Sequence, residues 1–186
     1  MNMLRIGIVL AFALAAAGSA HAANAGKLPP ALNAASNKAF LDANAKRPGT
    51  VVRPSGLQYR ILHNGFGRRP GPDDYVTVNY TGALINGEVF DGTEPGMPAR
   101  FKVKTLIAGW AEALKLMRTG DHWQLVIPAE LGYGTRGAGS SIAPNQTLVF
   151  DLELLKVVSA KMRQHAQDEN PDKFNDNEDL GPDDDE

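Results

Sequence analysis

The stretch "LIAGWAEALKLMRTGD", residues 106–121, decides how the rest of the chain must fold. Trp110, Ala113, Leu114 and Met117 follow the i, i+3, i+4, i+7 spacing of one helix face. Thr119 and Gly120 end the run, and glycine suits the position just past a helix. The helix therefore has only two to three turns, too few to be stable alone in water. Something must clamp it, and its largest side chain, Trp110, stands in its first turn.

The flanking sequence supplies the clamp. "GLQYRILHNG" (56–65) places Leu57, Tyr59 and Ile61 on one face, with Gln58 and Arg60 on the other. "YVTVNYTGAL" (75–84) alternates Val76, Val78 and Tyr80 against Thr77, Asn79 and Thr81. Asn86-Gly87 is a hairpin signal leading into "EVFD". "PARFKV" is a short strand, "DHWQLVIPAEL" is a strand ended by Pro128, and "TLVFDLELLKVVS" is a final alternating strand. A sheet with one apolar face needs a cover, and only one short helix is at hand. These features predict an α+β fold: an antiparallel, curled sheet of five to six strands, a half-barrel wrapped around one short helix.

The ends of the chain differ from this middle. Arg5 precedes an apolar run over residues 6–17, and "AHA" (20–22) offers small residues for cleavage. Residues 1–22 therefore read as a signal peptide with cleavage after Ala22; the run falls short of the roughly twenty residues a spanning helix needs. That implies secretion, and the periplasm if the source is Gram-negative, with no membrane attachment after cleavage. Residues 23–53 form a linker and a short helix, "NAASNKAFLDANAK" (33–46), poor in large apolar residues and needing something to pack on, such as a second copy of the chain. The folded domain runs over 54–158. Residues 159–186 end in "DENPDKFNDNEDLGPDDDE", with ten acidic residues against one lysine. So little apolar surface cannot offset ordering entropy, and this tail is expected to be disordered. It reads as a solubilising extension; a tail that folds back on the basic remainder of the chain is the alternative.

The 186 residues contain no cysteine, which excludes disulfides, thiolate metal sites and thiol nucleophiles. The four histidines (21, 63, 122 and 165) show no ligand spacing, so no metal is expected. Hydrolase, phosphate-loop and dinucleotide fingerprints are absent. Lys and Arg are dispersed, which argues against nucleic acid. Aromatics near turns remain: Tyr80, Phe90, Trp110, Tyr133 and Phe150. Tyr133 sits between two glycines in a polar loop, and Asp91 directly follows Phe90.

"PSGLQYRIL", "VNYTGALINGEVFDGT", "LIAGWAEALKLMRTGD" and "LGYGTRGAGSSIAPNQTLVFDLELL" occur in this order and spacing in the FKBP-type peptidyl-prolyl cis-trans isomerases, which the chain resembles over about residues 54–157. The lead-in resembles the macrophage infectivity potentiator branch, where a long helical region makes a dimer. Only a short counterpart precedes the domain here, which leaves a homodimer open. The resemblance implies catalytic roles for Asp91, Tyr133 and Phe90. It implies a proline pocket built from Tyr80, Phe101, Leu106, Ile107, Trp110, Ile142 and Phe150, with Trp110 as its floor. Ala99 stands where the best-known eukaryotic members carry phenylalanine, and the glycine-rich loop carries Arg136 and Ser140 in place of a histidine. The implied activity is rotation of Xaa-Pro bonds in secreted proteins during folding, with no cofactor and no covalent step. The implied partners are proline-containing unfolded or folding proteins, and macrolide inhibitors of the family. A folding chaperone that grips proline segments, with isomerisation incidental, is the second expectation.

Overall fold

The computed structural model describes residues 32–160. The signal peptide and the acidic stretch predicted above lie outside these residues. In chain order the elements are α1 (Ala34–Ala45), β1 (Val51–Val52), β2 (Gln58–His63), β3 (Tyr75–Leu84), β4 (Val89–Gly92), β5 (Ala99–Lys102), a 3-10 turn (Val103–Thr105), α2 (Ala108–Leu116), β6 (His122–Ile127) and β7 (Leu148–Val158). The strands form one antiparallel sheet in the order β1-β2-β6-β7-β3-β4. β5 pairs with the first half of β3, from Tyr75 to Val78, while β4 pairs with the second half, from Thr81 to Ala83.

The α+β architecture is as expected, with one more strand. The seventh, β1, is only two residues long, too short to leave a periodic signal. The sheet curves where its ladders slip: β2 against β6 at Ile61/His63, β3 against β4 at Gly82/Ala83, and β3 against β7 at Thr77/Val78. An extra residue at such a point bends its strand and increases the local twist.

The helix stripe read from the sequence is the stripe that is buried. Trp110, Ala113, Leu114 and Met117 are all 3% exposed or less, in one core with Val76, Val78, Leu125, Ile127, Leu148, Leu152 and Leu154 from the sheet. Gly109 sets the approach of α2 to β6: a Cβ there would lie 2.6 Å from Ile127 Cγ2. The hairpin at Asn86-Gly87 also forms, but only Gly87 takes a positive φ, at +89°. A type I′ turn would need both residues there, so the loop is a turn closed by one left-handed glycine.

Gln58 differs from its expected solvent-facing position. It is 5% exposed, because α1 lies over it. Its Nε2 donates to the Leu41 carbonyl at 3.1 Å, and its Oε1 accepts from Asn44 Nδ2 at 2.8 Å. At the other end of α1, Asn33 caps the helix by accepting from the Ser36 N–H, and Asn37 Oδ1 accepts from the Thr147 N–H at 2.8 Å. The apolar-poor lead-in helix is thus fastened to its own domain by buried amides. Alternation patterns miss this, because they count amides as solvent-facing.

Candidate functional site

Gly82 is the hinge on which the site is assembled. A Cβ at Gly82 would lie 2.7 Å from Phe150 Cε1 and 2.8 Å from Phe90 Cε2 and Cζ. With hydrogen there, the Phe90 ring on β4 and the Phe150 ring on β7 close edge-to-face over β3, 5.6 Å between centroids. Trp110, in the first turn of α2, meets three rings edge-on: Tyr80 at 5.1 Å, Phe150 at 5.2 Å and Phe101 at 6.0 Å. Such T-shaped pairs contribute about 0.5–1.5 kcal/mol each beyond the area they bury. The five rings come from β3, β4, β5, α2 and β7, so the array forms only when the sheet has curled onto the helix. Gly82→Ala is expected to overpack it. The cost is about 1–3 kcal/mol of stability, from the denaturant midpoint, together with weakened binding of any ligand between the rings. If both measurements stay at their wild-type values, Gly82 does not set the ring spacing.

These rings wall a cavity of about 250 Å³, lined by Tyr80, Phe90, Asp91, Phe101, Thr105, Leu106, Ile107, Trp110, Tyr133 and Phe150. Nine of the ten site residues named from the sequence therefore converge here. Ile142 does not. It is not among the lining residues; it is buried at 5% exposure and bridged to Ala138 within the glycine-rich loop. Thr105 lines the cavity and was missed: it ends a three-residue turn, where no periodicity marks it.

The polar groups sit at the rim. Asp91 is exposed and accepts from the Tyr80 hydroxyl at 2.7 Å through Oδ2 and from the Gly92 N–H at 2.9 Å through Oδ1. Burial raises the Tyr80 pKa well above the usual phenol value, and the hydrogen bond to Asp91 and its negative charge push the same way. Tyr80 thus stays protonated and keeps donating to Asp91. Because the folded-state pKa is raised, this contribution to stability is complete below the ordinary phenol pKa of about 10 and is lost as pH rises from there through the folded value. In an alkaline ultraviolet titration a late tyrosine step should appear, and Tyr80→Phe should remove it. A titration with no late step, or with one that survives Tyr80→Phe, would contradict the Tyr80–Asp91 pairing.

Two further donors face unmet demand. The Tyr133 hydroxyl, on a side chain 39% exposed, has no hydrogen-bond partner among the described residues. The Ile107 N–H, at the N-cap of α2, likewise has no acceptor there. An apolar basin with a carboxylate and two free donors at its rim suits a small apolar ring flanked by peptide carbonyls.

Comparison with known proteins agrees. The model of the FKBP-type peptidyl-prolyl cis-trans isomerase matches residues 67–155, and that of the domain amino terminal to it matches residues 12–61. The chain is 53% identical over 129 residues to the outer membrane protein MIP of Legionella longbeachae, covering 69% of this chain and 55% of that protein. It is 50% identical over 126 residues to the FKBP-type 22 kDa peptidyl-prolyl cis-trans isomerase of Escherichia coli, covering 67% and 61%. The chain thus spans somewhat over half the length of these curated relatives. Among solved structures, a peptidyl-prolyl cis-trans isomerase from Pseudomonas syringae superposes with a TM-score of 0.64 at 35% identity, over 67% of this chain and 92% of that one. FkpA from Escherichia coli superposes at 0.65 with 42% identity, over 68% and 59%. With its fold, its ring-walled cavity and these matches in agreement, the chain belongs to the FKBP-type peptidyl-prolyl cis-trans isomerase family.

Proposed function

We propose that this chain catalyses cis-trans rotation of Xaa-Pro bonds in folding proteins, at the cavity floored by Trp110. The observation that carries this reading is the convergence of five aromatic rings around a cavity of about 250 Å³ with Asp91 and Tyr133 at its rim. Rotation about a prolyl amide is slow because the twisted state loses amide resonance, at a barrier of roughly 18–20 kcal/mol. The twisted amide has less charge separation than the planar one. A water-poor cavity therefore disfavours the planar ground state relative to the transition state, and lowers the barrier with no covalent step.

In this reading the rings of Phe90, Phe101, Trp110 and Phe150, with Leu106 and Ile107, hold the proline. Tyr133 donates to a substrate carbonyl, and the Ile107 N–H anchors the next one. Asp91, oriented by Tyr80 and the Gly92 N–H, lies beside the twisting amide. Ile142 acts at one remove, by fixing the loop that carries Tyr133. The same cavity is the proposed seat for macrolide inhibitors. The apolar run at residues 6–17 supports export across the inner membrane before the enzyme meets its substrates.

An assay on a Xaa-Pro tetrapeptide tests the proposal. Uncatalysed exchange takes tens of seconds at 25 °C, and the chain should shorten it in proportion to its concentration. Exchange that stays at the uncatalysed rate would refute the activity.

A further inference from the structure

At the far end of α2 from Trp110 lies a second, larger depression of about 510 Å³ that the proline pocket does not use. Its apolar wall is Ile61, Phe66, Leu116 and Trp123, and Arg69 and Arg118 stand on it. Phe66 is 92% exposed and Ile61, in the same wall, is 42% exposed, so the groove presents a contiguous apolar patch to water rather than one stray side chain. Neither Arg69 nor Arg118 has an acidic side-chain partner among the described residues. The acid in the wall, Asp121, is 4% exposed and committed to the Gly65 and Arg118 backbone N–H groups, so it does not neutralise them. The groove is therefore cationic and apolar, and wants an anionic segment carrying a large apolar side chain.

Such a segment is attached to the domain beside the groove. β7 ends at Val158, and the Ala160 N–H donates to Asp74 Oδ1 at 3.2 Å. Asp74 also pairs with Arg68, the neighbour in sequence of Arg69, and the Arg68 carbonyl accepts from the Thr119 N–H, next to Arg118. The chain thus leaves the described domain next to both arginines. Residues 168–186 follow, with ten acidic residues against one lysine, and with Phe174 and Leu180 as their only large apolar side chains. Seven residues, 161–167, separate Ala160 from Asp168. At up to roughly 3.3–3.6 Å per residue they can span on the order of 25 Å, ample for a groove that begins one residue from Arg68.

We propose that the acidic segment 168–186 docks intramolecularly into the groove of Phe66, Arg69 and Arg118, with Phe174 covering the apolar wall and its flanking carboxylates meeting the two guanidinium groups. The segment then masks the most exposed large apolar side chain of the domain, and does so away from the proline pocket. Trp110 and Arg118 are eight positions apart along α2 and its exit, on the order of 10 Å at 1.5 Å per residue. The docking is held partly by charge and must weaken with salt, whose screening length falls to about 3 Å at 1 M.

The lack of cysteine makes the test clean. A nitroxide on Asn175→Cys in the full chain should quench the backbone amides of Gly65, Phe66, Arg69, Arg118 and Asp121, and spare β4 and β5. About 1 M sodium chloride should restore most of the lost intensity, as should Arg69→Glu combined with Arg118→Glu, both exposed positions that leave the core intact. Spin-labelled chain without isotope, mixed with isotope-labelled chain without the spin label, should leave those amides sharp. No quenching at the groove, quenching spread evenly over the domain, quenching indifferent to salt, or quenching in the mixed sample would each overturn intramolecular docking.

Discussion

Trp110→Leu should lower kcat/KM on a Xaa-Pro peptide by tenfold or more, about 1.4 kcal/mol or more of lost transition-state stabilisation. Leucine keeps an apolar side chain over the core but removes the flat floor against which the proline would lie. The alanine variant is the less informative one. Trp110 is 3% exposed and touches the rings of Tyr80, Phe101 and Phe150, so truncation to alanine removes core contacts as well as the floor. Such a deletion costs about 3–5 kcal/mol, a large share of the stability of a small domain. Loss of activity in Trp110→Ala would then report partial unfolding. A leucine variant that still unfolds cooperatively, is fully folded under assay conditions, and loses rate isolates the floor. If it keeps full rate instead, Trp110 is a core residue and the proline sits elsewhere.

The second large effect is expected at the rim. Asp91→Ala removes a carboxylate acceptor from beside the twisting amide and releases the Tyr80 hydroxyl; hydrogen bonds to charged groups contribute about 1.5–3 kcal/mol, so the rate should fall by roughly ten- to a hundredfold. Tyr133→Phe deletes one neutral donor, worth about 0.5–1.5 kcal/mol, or up to about tenfold. Both side chains are exposed, so the double variant should stay folded, with a change in stability on the order of 1 kcal/mol or less. This pair also separates the enzyme from the chaperone expectation. Isomerisation abolished with aggregation suppression intact would show that gripping proline segments and turning them are distinct properties of the domain. Unchanged isomerisation in the double variant would remove both residues from the proposed mechanism.

How much of this was visible beforehand depends on which force placed each residue. The α2 stripe was legible because burial of Ala113, Leu114 and Met117 follows helical period directly. β3 and β7 were legible because each is long and alternates, so register leaves one apolar face inward. Trp110 as a pocket wall came from resemblance and from its place in the first turn, and its place in the cavity follows from rings on three different strands meeting around it. Gln58 was misread because a buried amide and an exposed one look alike in a pattern; what buries it is α1, fastened through Asn44 and Leu41. Ile142 comes to the cavity from resemblance alone; in the fold it is buried, and its backbone bridges Ala138. Thr105 and β1 carry no periodic signal, since three residues of turn and two of strand are shorter than any period. The groove at Phe66 was equally hidden, because it joins residues from the β2–β3 loop, the exit of α2 and the start of β6.

The two tryptophans allow the most direct test of the central claim, that the Trp110 cavity turns prolyl bonds. A nitrogen-15 spectrum gives one indole resonance for each. Titration with a Xaa-Pro peptide should shift the Trp110 indole in a saturable way and leave that of Trp123, at the opposite end of α2, in place. Exchange cross-peaks between the cis and trans forms of the peptide should grow in the same samples. A peptide whose exchange accelerates while the Trp110 indole stays fixed, or one that binds at Trp123 instead, would contradict the site.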